Sequence, residues 1–291
     1  MSNTALTKPN LSYLQWRYLS NASRTWRAWQ SRDSQSDHVK RVALEIEQQG
    51  VVIGPADSYL SDEGRKALAE ASASVLKLCE SSEVQAILRN GQDVKGKDYI
   101  VRVVPKDLEY GSDSPLLKVA LDQTLLEIVA AYLRMWPRLH AVGAFLNFAT
   151  EDEAKESQLW HRDSEDRKLV KVFIYLSDVG SEKGPFCYIP KTHPFSSGAG
   201  TVPHHKDKKR ILDDEMTSVF PKECWLECTG PANTMILADT VGFHRGGKPM
   251  TGTRLMITFT YTSGKPLVSK RKLQMKEAPK WFTHPIQKYA L

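Results

Sequence analysis

The stretch that decides both the fold and the site is Leu159–Asp163, which reads Leu-Trp-His-Arg-Asp. His161 and Asp163 are two positions apart, and residues i and i+2 of an extended strand point to the same side. An imidazole nitrogen and a carboxylate oxygen can therefore bind one metal ion from one face. A distant segment, Gly242–Gly247 (Gly-Phe-His-Arg-Gly-Gly), offers His244 as a third ligand.

Two histidines and one carboxylate form a facial triad that leaves metal positions open, which suits a non-haem Fe(II) ion that must also bind O₂ and a co-substrate. A His-x-Asp pair alone is weak evidence, because most such residues are solvated or hydrogen-bonded. The neighbouring sequence strengthens the evidence for a metal site here. Apolar strands are predicted at Leu169–Leu176, Thr234–Asp239 and Arg254–Tyr261, and His244 lies between the last two.

At these residues the chain resembles the phytanoyl-CoA dioxygenase family of Fe(II)/2-oxoglutarate-dependent oxygenases. The resemblance covers residues 140–262. The family pattern is matched at Trp160–Asp163, Leu176–Val179, Gly184–His193, Phe243–Gly247 and Arg254. The chain departs from the pattern at Lys191, where the family usually has glycine. It departs again at Gly246, where some members carry a hydroxyl residue that helps to hold 2-oxoglutarate.

The resemblance implies that His161, Asp163 and His244 bind Fe(II) and that 2-oxoglutarate chelates the same ion. The far carboxylate of 2-oxoglutarate then needs a fixed cation, and Arg254 is assigned that role because a guanidinium can bind a carboxylate with two parallel hydrogen bonds. The alternative for Arg254 is an ordinary surface arginine.

Three further residues are candidates for contact with the co-substrate. Asn147 matches a family position that carries a polar group near the C1 carboxylate, although an asparagine near a strand end is often only a turn former. Cys187 and Tyr188 alternate along one strand, so one of them faces the cavity and the other does not. The sequence leaves open which one.

The reaction implied by the resemblance is hydroxylation of an unactivated C–H bond of a small molecule, with O₂ consumed and succinate and CO₂ formed. A carboxylate at Asp163 argues against halogenation, since related halogenases have a small residue there. Two alternatives stay open: a jelly-roll binding module without catalysis, and an oxygenase that acts on a macromolecule. The second would use the basic segments 204–210 and 270–272. We also expect the loop 204–210 to close over the active site and contact substrate.

The predicted fold class is α+β, with a double-stranded β-helix (jelly-roll, cupin-like) core and N-terminal helices packed on one sheet. Residues 1–35 are predicted to be an N-terminal arm that packs on the domain or on a partner subunit. Residues 36–291 are predicted to be a single oxygenase domain. It comprises a helical part (36–138), the jelly-roll core (139–262) and a C-terminal extension (263–291).

Several helices and strands of the helical part can be bounded from the sequence. A helix is predicted from Ser36 to Gly50, a strand over Val51–Ile53 that Gly54-Pro55 stops, and a helix from Ser61 to about Cys79. A strand follows at Tyr99–Val104. A third helix is predicted from Ser114 and Pro115 to Trp136.

The composition is that of an ordinary globular protein of 291 residues, with 41% hydrophobic and 25% charged residues. The net charge of +6 weakly favours an anionic substrate or surface, although a solvated basic surface is the commoner explanation, and we expect a small-molecule substrate. The basic segments have no interleaved aromatic residues, which argues against nucleic acid. The four cysteines form no disulfide framework, and no apolar run is long enough to span a membrane. We therefore expect a cytoplasmic protein, and a homodimer stays open.

Overall fold

A computed structural model of the chain describes residues 10–90, 97–105, 108–196, 210–269, 273–277 and 279–291. The helices are α1 Leu11–Gln15, α2 Ala22–Ser31, α3 Asp37–Gln49, α4 Asp62–Cys79, α5 Ser82–Asn90, α6 Pro115–Ala120, α7 Gln123–Leu133, α8 Asp213–Thr217 and α9 Pro285–Ala290. The strands are β1 Val51–Pro55, β2 Ile100–Arg102, β3 Glu109–Tyr110, β4 Arg138–Phe148, β5 Val170–Tyr175, β6 Phe186–Tyr188, β7 Leu226–Cys228, β8 Thr234–Ala238, β9 His244–Gly246, β10 Thr253–Thr262 and β11 Gln274–Met275. A π-helical segment and short 3-10 turns lie at Trp16–Ser20, Arg32–Ser34, Ala56–Ser58, Glu156–Gln158, Ser181–Lys183 and Lys222–Cys224.

Two antiparallel sheets form the main β part of the fold, and β3 pairs with β11 in a separate two-stranded parallel sheet. The large sheet has the order β1-β8-β5-β10-β4-β2, and the small sheet has the order β7-β6-β9. Two isolated bridges, His161 with His244 and Trp160 with Ile211, continue the small sheet beyond β9. Helices and two facing antiparallel sheets confirm the predicted α+β jelly roll.

The alternation of side chains along β5 explains how the layers are held together. Val172 and Ile174 point to one face of the large sheet and belong to the main core cluster, which also contains residues of α3, α4, α6 and α7. Phe173 and Tyr175 point to the other face and pack against residues of the small sheet. A strand buried on both sides needs apolar residues at both alternating positions. The large sheet therefore lies between the N-terminal helices and the small sheet.

The helices predicted after Ser36 and Ser61 are confirmed. Each serine hydroxyl accepts a hydrogen bond from the backbone N–H three residues later, which satisfies one free donor of the first turn. Strand β1 was predicted to end before Gly54-Pro55, and this was wrong. It runs to Pro55, because β1 is an edge strand of its sheet and an edge can accept a proline, which has no N–H to donate.

The prediction of one continuous third helix was also wrong. The segment divides into α6 and α7, and Asp122 lies at the break. The Asp122 carboxylate accepts hydrogen bonds from the backbone N–H of Leu125 at 3.0 Å and from the Ser61 hydroxyl at 2.5 Å. A buried carboxylate that caps a second helix favours a break over continued helix.

The N-terminal arm packs on the rest of the chain. Tyr13 and Trp16 are buried in the main core cluster, and the Arg24 guanidinium donates to the carbonyl of Pro137 at 2.8 Å. Trp26 and Trp29 stack on each other at the surface, with ring centroids 4.9 Å apart. The domain boundaries that we drew remain a prediction. Among the described residues, no helix combines the length and apolar character needed to cross a bilayer.

Replacing Gly50 with alanine is expected to destabilise the fold strongly. Gly50 ends α3 with a φ of +83°, and a Cβ there would collide with the Tyr188 hydroxyl and with the His193 ring. An alanine in the left-handed conformation and the steric clash together lower the free energy of unfolding by about 3 kcal/mol. This corresponds to a drop in Tm of roughly 6 °C or more. Thermal unfolding followed by circular dichroism measures it. The matched control is Gly111→Ala, where nothing lies within 4 Å of the added Cβ, and a Tm equal to that of this control would contradict the expectation.

Candidate metal centre

The three predicted metal ligands come together in the structure. Their candidate ligand atoms all lie within 4.8 Å of one another, and Nε2 of His244 is 3.5 Å from Oδ2 of Asp163. The backbone explains this convergence. His161 and His244 exchange two hydrogen bonds, of 2.9 and 3.0 Å, and the Asp163 N–H donates to the Thr240 carbonyl at 2.8 Å. The two ligand-bearing segments are therefore paired directly, like neighbouring strands.

Both imidazoles have Nε2 available to bind a metal. Nδ1 of His161 lies 2.8 Å from the Leu159 carbonyl, and Nδ1 of His244 lies 3.0 Å from the Gly242 carbonyl. A carbonyl oxygen only accepts, so each Nδ1 must carry the proton and donate. Each neutral ring then has a lone pair on Nε2. Such backbone contacts fix the tautomer and orientation of metal-binding histidines.

The electrostatic surroundings keep this ligand set deprotonated. Burial, and then the neighbouring His244, lower the pKa of His161 to about 2. Burial also lowers the pKa of His244, although Asp163 opposes this. Burial alone would raise the pKa of Asp163, but Lys171 and His244 outweigh it, and the pKa is lowered. Two neutral imidazoles and one carboxylate are the forms that bind a divalent metal.

Metal affinity is therefore expected to change little between pH 7.5 and pH 6.0. Two histidines with an ordinary pKa near 6.5 would together lose affinity roughly fifteenfold over this range, because protons compete for both nitrogens. With both imidazole pKa values lowered by burial, we expect a loss of less than about threefold. Isothermal titration with Ni(II) at the two pH values measures it. A loss of roughly fifteenfold, as expected for two competing protons, would contradict the lowered pKa values of the two imidazoles.

Lys171 is an important residue of the site that the sequence analysis missed. Its ammonium lies 2.6 Å from Oδ2 of Asp163 and 3.2 Å from Oε1 of Glu165. Burial would lower the pKa of Lys171, but the two carboxylates raise it, so the side chain is charged. A signal was present in the sequence, because Lys171 is the one charged residue in the otherwise apolar stretch Leu169–Leu176.

Arg254 is buried and lies on β10 directly opposite Asn147 of β4. Its Nη1 donates a long hydrogen bond of 3.4 Å to the Gly247 carbonyl, and its Nε has no partner. No carboxylate among the described residues forms an ion pair with it. Burial accordingly lowers the pKa of Arg254. A buried guanidinium is costly unless an anion is paired with it.

Asn147 lines the cavity beside the metal centre, and its side-chain amide nitrogen has no hydrogen-bond partner. Cys187 and Tyr188 have different positions. Cys187 packs on the outer side of the small sheet with Trp160, whereas the Tyr188 hydroxyl donates to the Asp239 carbonyl between the two sheets. Neither lines the cavity. Phe186, which precedes them, lines the cavity, and its ring stacks on that of His244 with centroids 5.6 Å apart.

The metal centre opens into a cavity of about 970 Å³. His161, Asp163 and His244 lie in its wall together with apolar and charged side chains. This volume accommodates a small-molecule ligand. Of the segment 204–210 the structure describes only Arg210, which lines the cavity. The rest of that segment, and segment 270–272, lie outside the described residues.

The two departures from the family pattern have a structural explanation. Lys191 has a φ of +63°, the left-handed conformation in which glycine is the usual residue, so the turn is retained at the cost of some strain. Gly246 lines the cavity, and a Cβ added there would lie 3.2 Å from Nη2 of Arg254. A hydroxyl residue at this position would therefore lie beside the guanidinium.

The chain has the fold of known non-haem oxygenase structures. It matches the non-heme monooxygenase ThoJ in its apo form with a TM-score of 0.50 and 17% identity, over 82% of this chain and 88% of that one. It matches EctD from S. alaskensis in its apo form with a TM-score of 0.52 and 16% identity, over 84% and 88%. A second EctD structure, with 2-oxoglutarate and 5-hydroxyectoine, matches with a TM-score of 0.50 and 15% identity, over 83% and 82%.

At these identities the likeness establishes the fold. No protein-family model matches the chain, and no curated protein matches it either. The resemblance to the phytanoyl-CoA dioxygenase family thus remains a prediction that rests on the matching stretches of sequence.

Proposed function

We propose that this protein is an Fe(II)/2-oxoglutarate-dependent dioxygenase of the phytanoyl-CoA dioxygenase family that hydroxylates an unactivated C–H bond of a small molecule. The observation that carries the proposal is the convergence of His161, Asp163 and His244, with both Nε2 atoms available, on one wall of a large cavity. The likeness in fold to EctD, one structure of which holds 2-oxoglutarate and 5-hydroxyectoine, supports it.

The residues of the site fit both Fe(II) and 2-oxoglutarate. Two imidazole nitrogens and one carboxylate are a donor set that suits Fe(II) and leaves coordination positions open. Arg254 fits the far carboxylate of 2-oxoglutarate, because its guanidinium is buried and lacks an anionic partner among the described residues. Asn147, whose amide nitrogen has no partner, is proposed to donate to the C1 carboxylate.

When bound, Fe(II) would supply the activation of O₂. The balanced reaction inserts one oxygen atom of O₂ into the C–H bond and the other into 2-oxoglutarate, which becomes succinate and CO₂. The protein's own residues position the reactants. Arg254 would orient 2-oxoglutarate, Lys171 holds the Asp163 carboxylate in place, and the ring of Phe186 next to His244 excludes water from one side.

Hydroxylation is favoured over halogenation because Asp163 supplies the third ligand. A small residue at this position would leave a metal site free for chloride. Among the described residues, no observation specifically favours a macromolecular substrate, since the basic segments proposed for that role lie mostly outside them. We therefore propose a small-molecule substrate.

The test is formation of succinate from 2-oxoglutarate by purified protein with Fe(II), ascorbate and O₂. Many enzymes of this kind decarboxylate 2-oxoglutarate slowly without substrate, so the assay does not need the substrate to be known. We expect succinate formation that requires both Fe(II) and O₂ and that Asp163→Ala removes. A jelly-roll binding module without catalysis predicts no succinate under any of these conditions.

A further inference from the structure

The cavity is lined by more cations than carboxylates among the residues that the structure describes. The lining cations are Lys97, Arg102, Arg162, Lys171 and Arg210, and the lining carboxylates are Glu156, Asp163 and Glu165. Charges in a cavity with low-dielectric walls act strongly on a ligand. Some of these charges are compensated when the site holds Fe(II) and 2-oxoglutarate, and others are not.

Most of the charge near the metal is balanced within the proposed site. Fe(II) and Arg254 together offset Asp163 and the two carboxylates of 2-oxoglutarate. Lys171 is then matched by Glu165, at 3.2 Å. The Arg162 guanidinium binds the carbonyls of Val241 and Thr192, at 2.6 and 2.9 Å, and these contacts hold it in the wall.

The Arg102 guanidinium lies over the Phe145 ring, 4.5 Å from its centroid. Lys97 and Arg210 are the two other lining cations. The Lys97 ammonium donates to the Ser157 hydroxyl at 3.2 Å and forms no ion pair with a described carboxylate. Arg210 lies 3.4 Å from Glu156, whose side chain is 49% exposed, so solvent screens that pair. Burial, and then Arg210, lower the pKa of Lys97. Glu156 and Ser157 are adjacent in the chain, so Arg210 and Lys97 contact neighbouring residues of the cavity wall.

The pair lies close to the metal ligands. Arg210 precedes Ile211, whose backbone pairs with Trp160, the neighbour of His161. Ser157, which binds Lys97, precedes His161 by four residues. A ligand whose charged group contacts this pair would therefore lie in the same cavity as the three candidate metal ligands.

Apolar side chains form another part of the cavity wall. Phe145, Phe173, Phe186 and Met256 line the cavity, and the rings of Phe173 and Phe186 lie 4.5 Å apart at their centroids. Hydrophobic and aromatic walls with a small number of polar groups are typical of sites that bind a carbon skeleton and fix its orientation.

We propose that the substrate is an amphiphilic anion: a carboxylate, sulfonate or phosphate group binds between Lys97 and Arg210, and its apolar skeleton lies along Phe145, Phe173, Phe186 and Met256. This inference rests on the proposed function for the place of the reacting carbon, but the binding site itself does not depend on catalysis. The anionic end fixes how the skeleton enters, and so selects which C–H bond approaches the metal.

A pair of matched fluorescent probes tests the proposal. 8-Anilinonaphthalene-1-sulfonate and N-phenyl-1-naphthylamine share one apolar skeleton, and only the first carries an anionic group. In protein loaded with Ni(II) and saturating 2-oxoglutarate, the sulfonate should bind at least about tenfold more tightly than the neutral probe. Lys97→Gln and Arg210→Gln should each remove most of that difference by weakening the sulfonate about tenfold, while the neutral probe changes less than about twofold. Lys66→Gln, which removes the same charge from the exposed face of α4, should change neither.

Three results would overturn the proposal. The first is equal affinity for the two probes. The second is a sulfonate affinity that Lys97→Gln and Arg210→Gln leave unchanged, which would mean that the probe binds elsewhere. The third is displacement of the sulfonate when 2-oxoglutarate is added to protein that holds Ni(II) and the probe, which would assign the cation pair to the co-substrate. The same titrations in metal-free protein separate this inference from the proposed function. If the protein fails to bind Ni(II) but still prefers the sulfonate, only the metal centre is contradicted.

Discussion

Replacing His161 with alanine is expected to weaken metal binding by more than about 100-fold and to abolish succinate formation. Loss of a residue that only orients a ligand already costs ten- to 100-fold in metal affinity, and the loss of a ligand costs more. The geometry gives no substitute, because His161, Asp163 and His244 form the only group of possible ligands that the described residues bring within 4.8 Å. Isothermal titration with Ni(II) measures the affinity directly.

The matched control for His161→Ala is His38→Ala, which removes an imidazole outside the cavity that binds the Ser58 carbonyl. It should bind Ni(II) like the wild type. The thermal midpoint of metal-free His161→Ala should stay close to that of the wild type, which would exclude misfolding as the cause. Wild-type Ni(II) affinity in folded His161→Ala would contradict the assignment of this ligand.

Replacing Arg254 with methionine is expected to raise the KM for 2-oxoglutarate at least about 30-fold. Truncation of one partner of a buried, hydrogen-bonded charge pair costs 2–5 kcal/mol, and each 1.4 kcal/mol is a factor of about ten. Arg254 is buried without an anionic partner among the described residues, so we expect the carboxylate of the co-substrate to be that partner. Succinate formation at varied 2-oxoglutarate concentration measures the effect.

The stability of Arg254→Met distinguishes co-substrate binding from a structural role. Removal of an unpaired buried charge should leave the Tm of metal-free protein unchanged or raise it. Arg254→Lys keeps the charge but loses the planar fork, and its KM should lie between those of the wild type and the methionine variant. A lowered Tm together with an unchanged KM would show that Arg254 supports the fold and does not bind 2-oxoglutarate.

The sequence was sufficient to predict that His161, Asp163 and His244 converge, because each of the two ligand-bearing segments has a recognisable short pattern. The His161-x-Asp163 spacing places two side chains on one side of a strand, and the short apolar runs of β5, β8 and β10 predict strands around them. Pairing of the two ligand segments then followed from the jelly-roll topology. The convergence of His161, Asp163 and His244 is as predicted from these patterns, whereas their role as iron ligands still rests on the proposal.

What could not be predicted depends on contacts that no periodic pattern specifies. Lys171, the second residue of β5, contacts Asp163 only because the segment between them turns back. The break between α6 and α7 is specified by Asp122, which binds Ser61, and single-sequence periodicity does not detect a contact of that range. The faces of Cys187 and Tyr188 depend on the register of β6 with β9. A shift of one residue would exchange them.

The most direct test of the metal centre is anaerobic titration of the purified protein with Fe(II) in the presence of 2-oxoglutarate, followed by visible absorption. A 2-oxoglutarate molecule that chelates Fe(II) through its keto oxygen and carboxylate gives a metal-to-ligand charge-transfer band, which neither component gives alone. We predict a band that saturates at one Fe(II) per chain and disappears in His161→Ala. A folded wild-type protein that gives no such band with both components present would contradict the account.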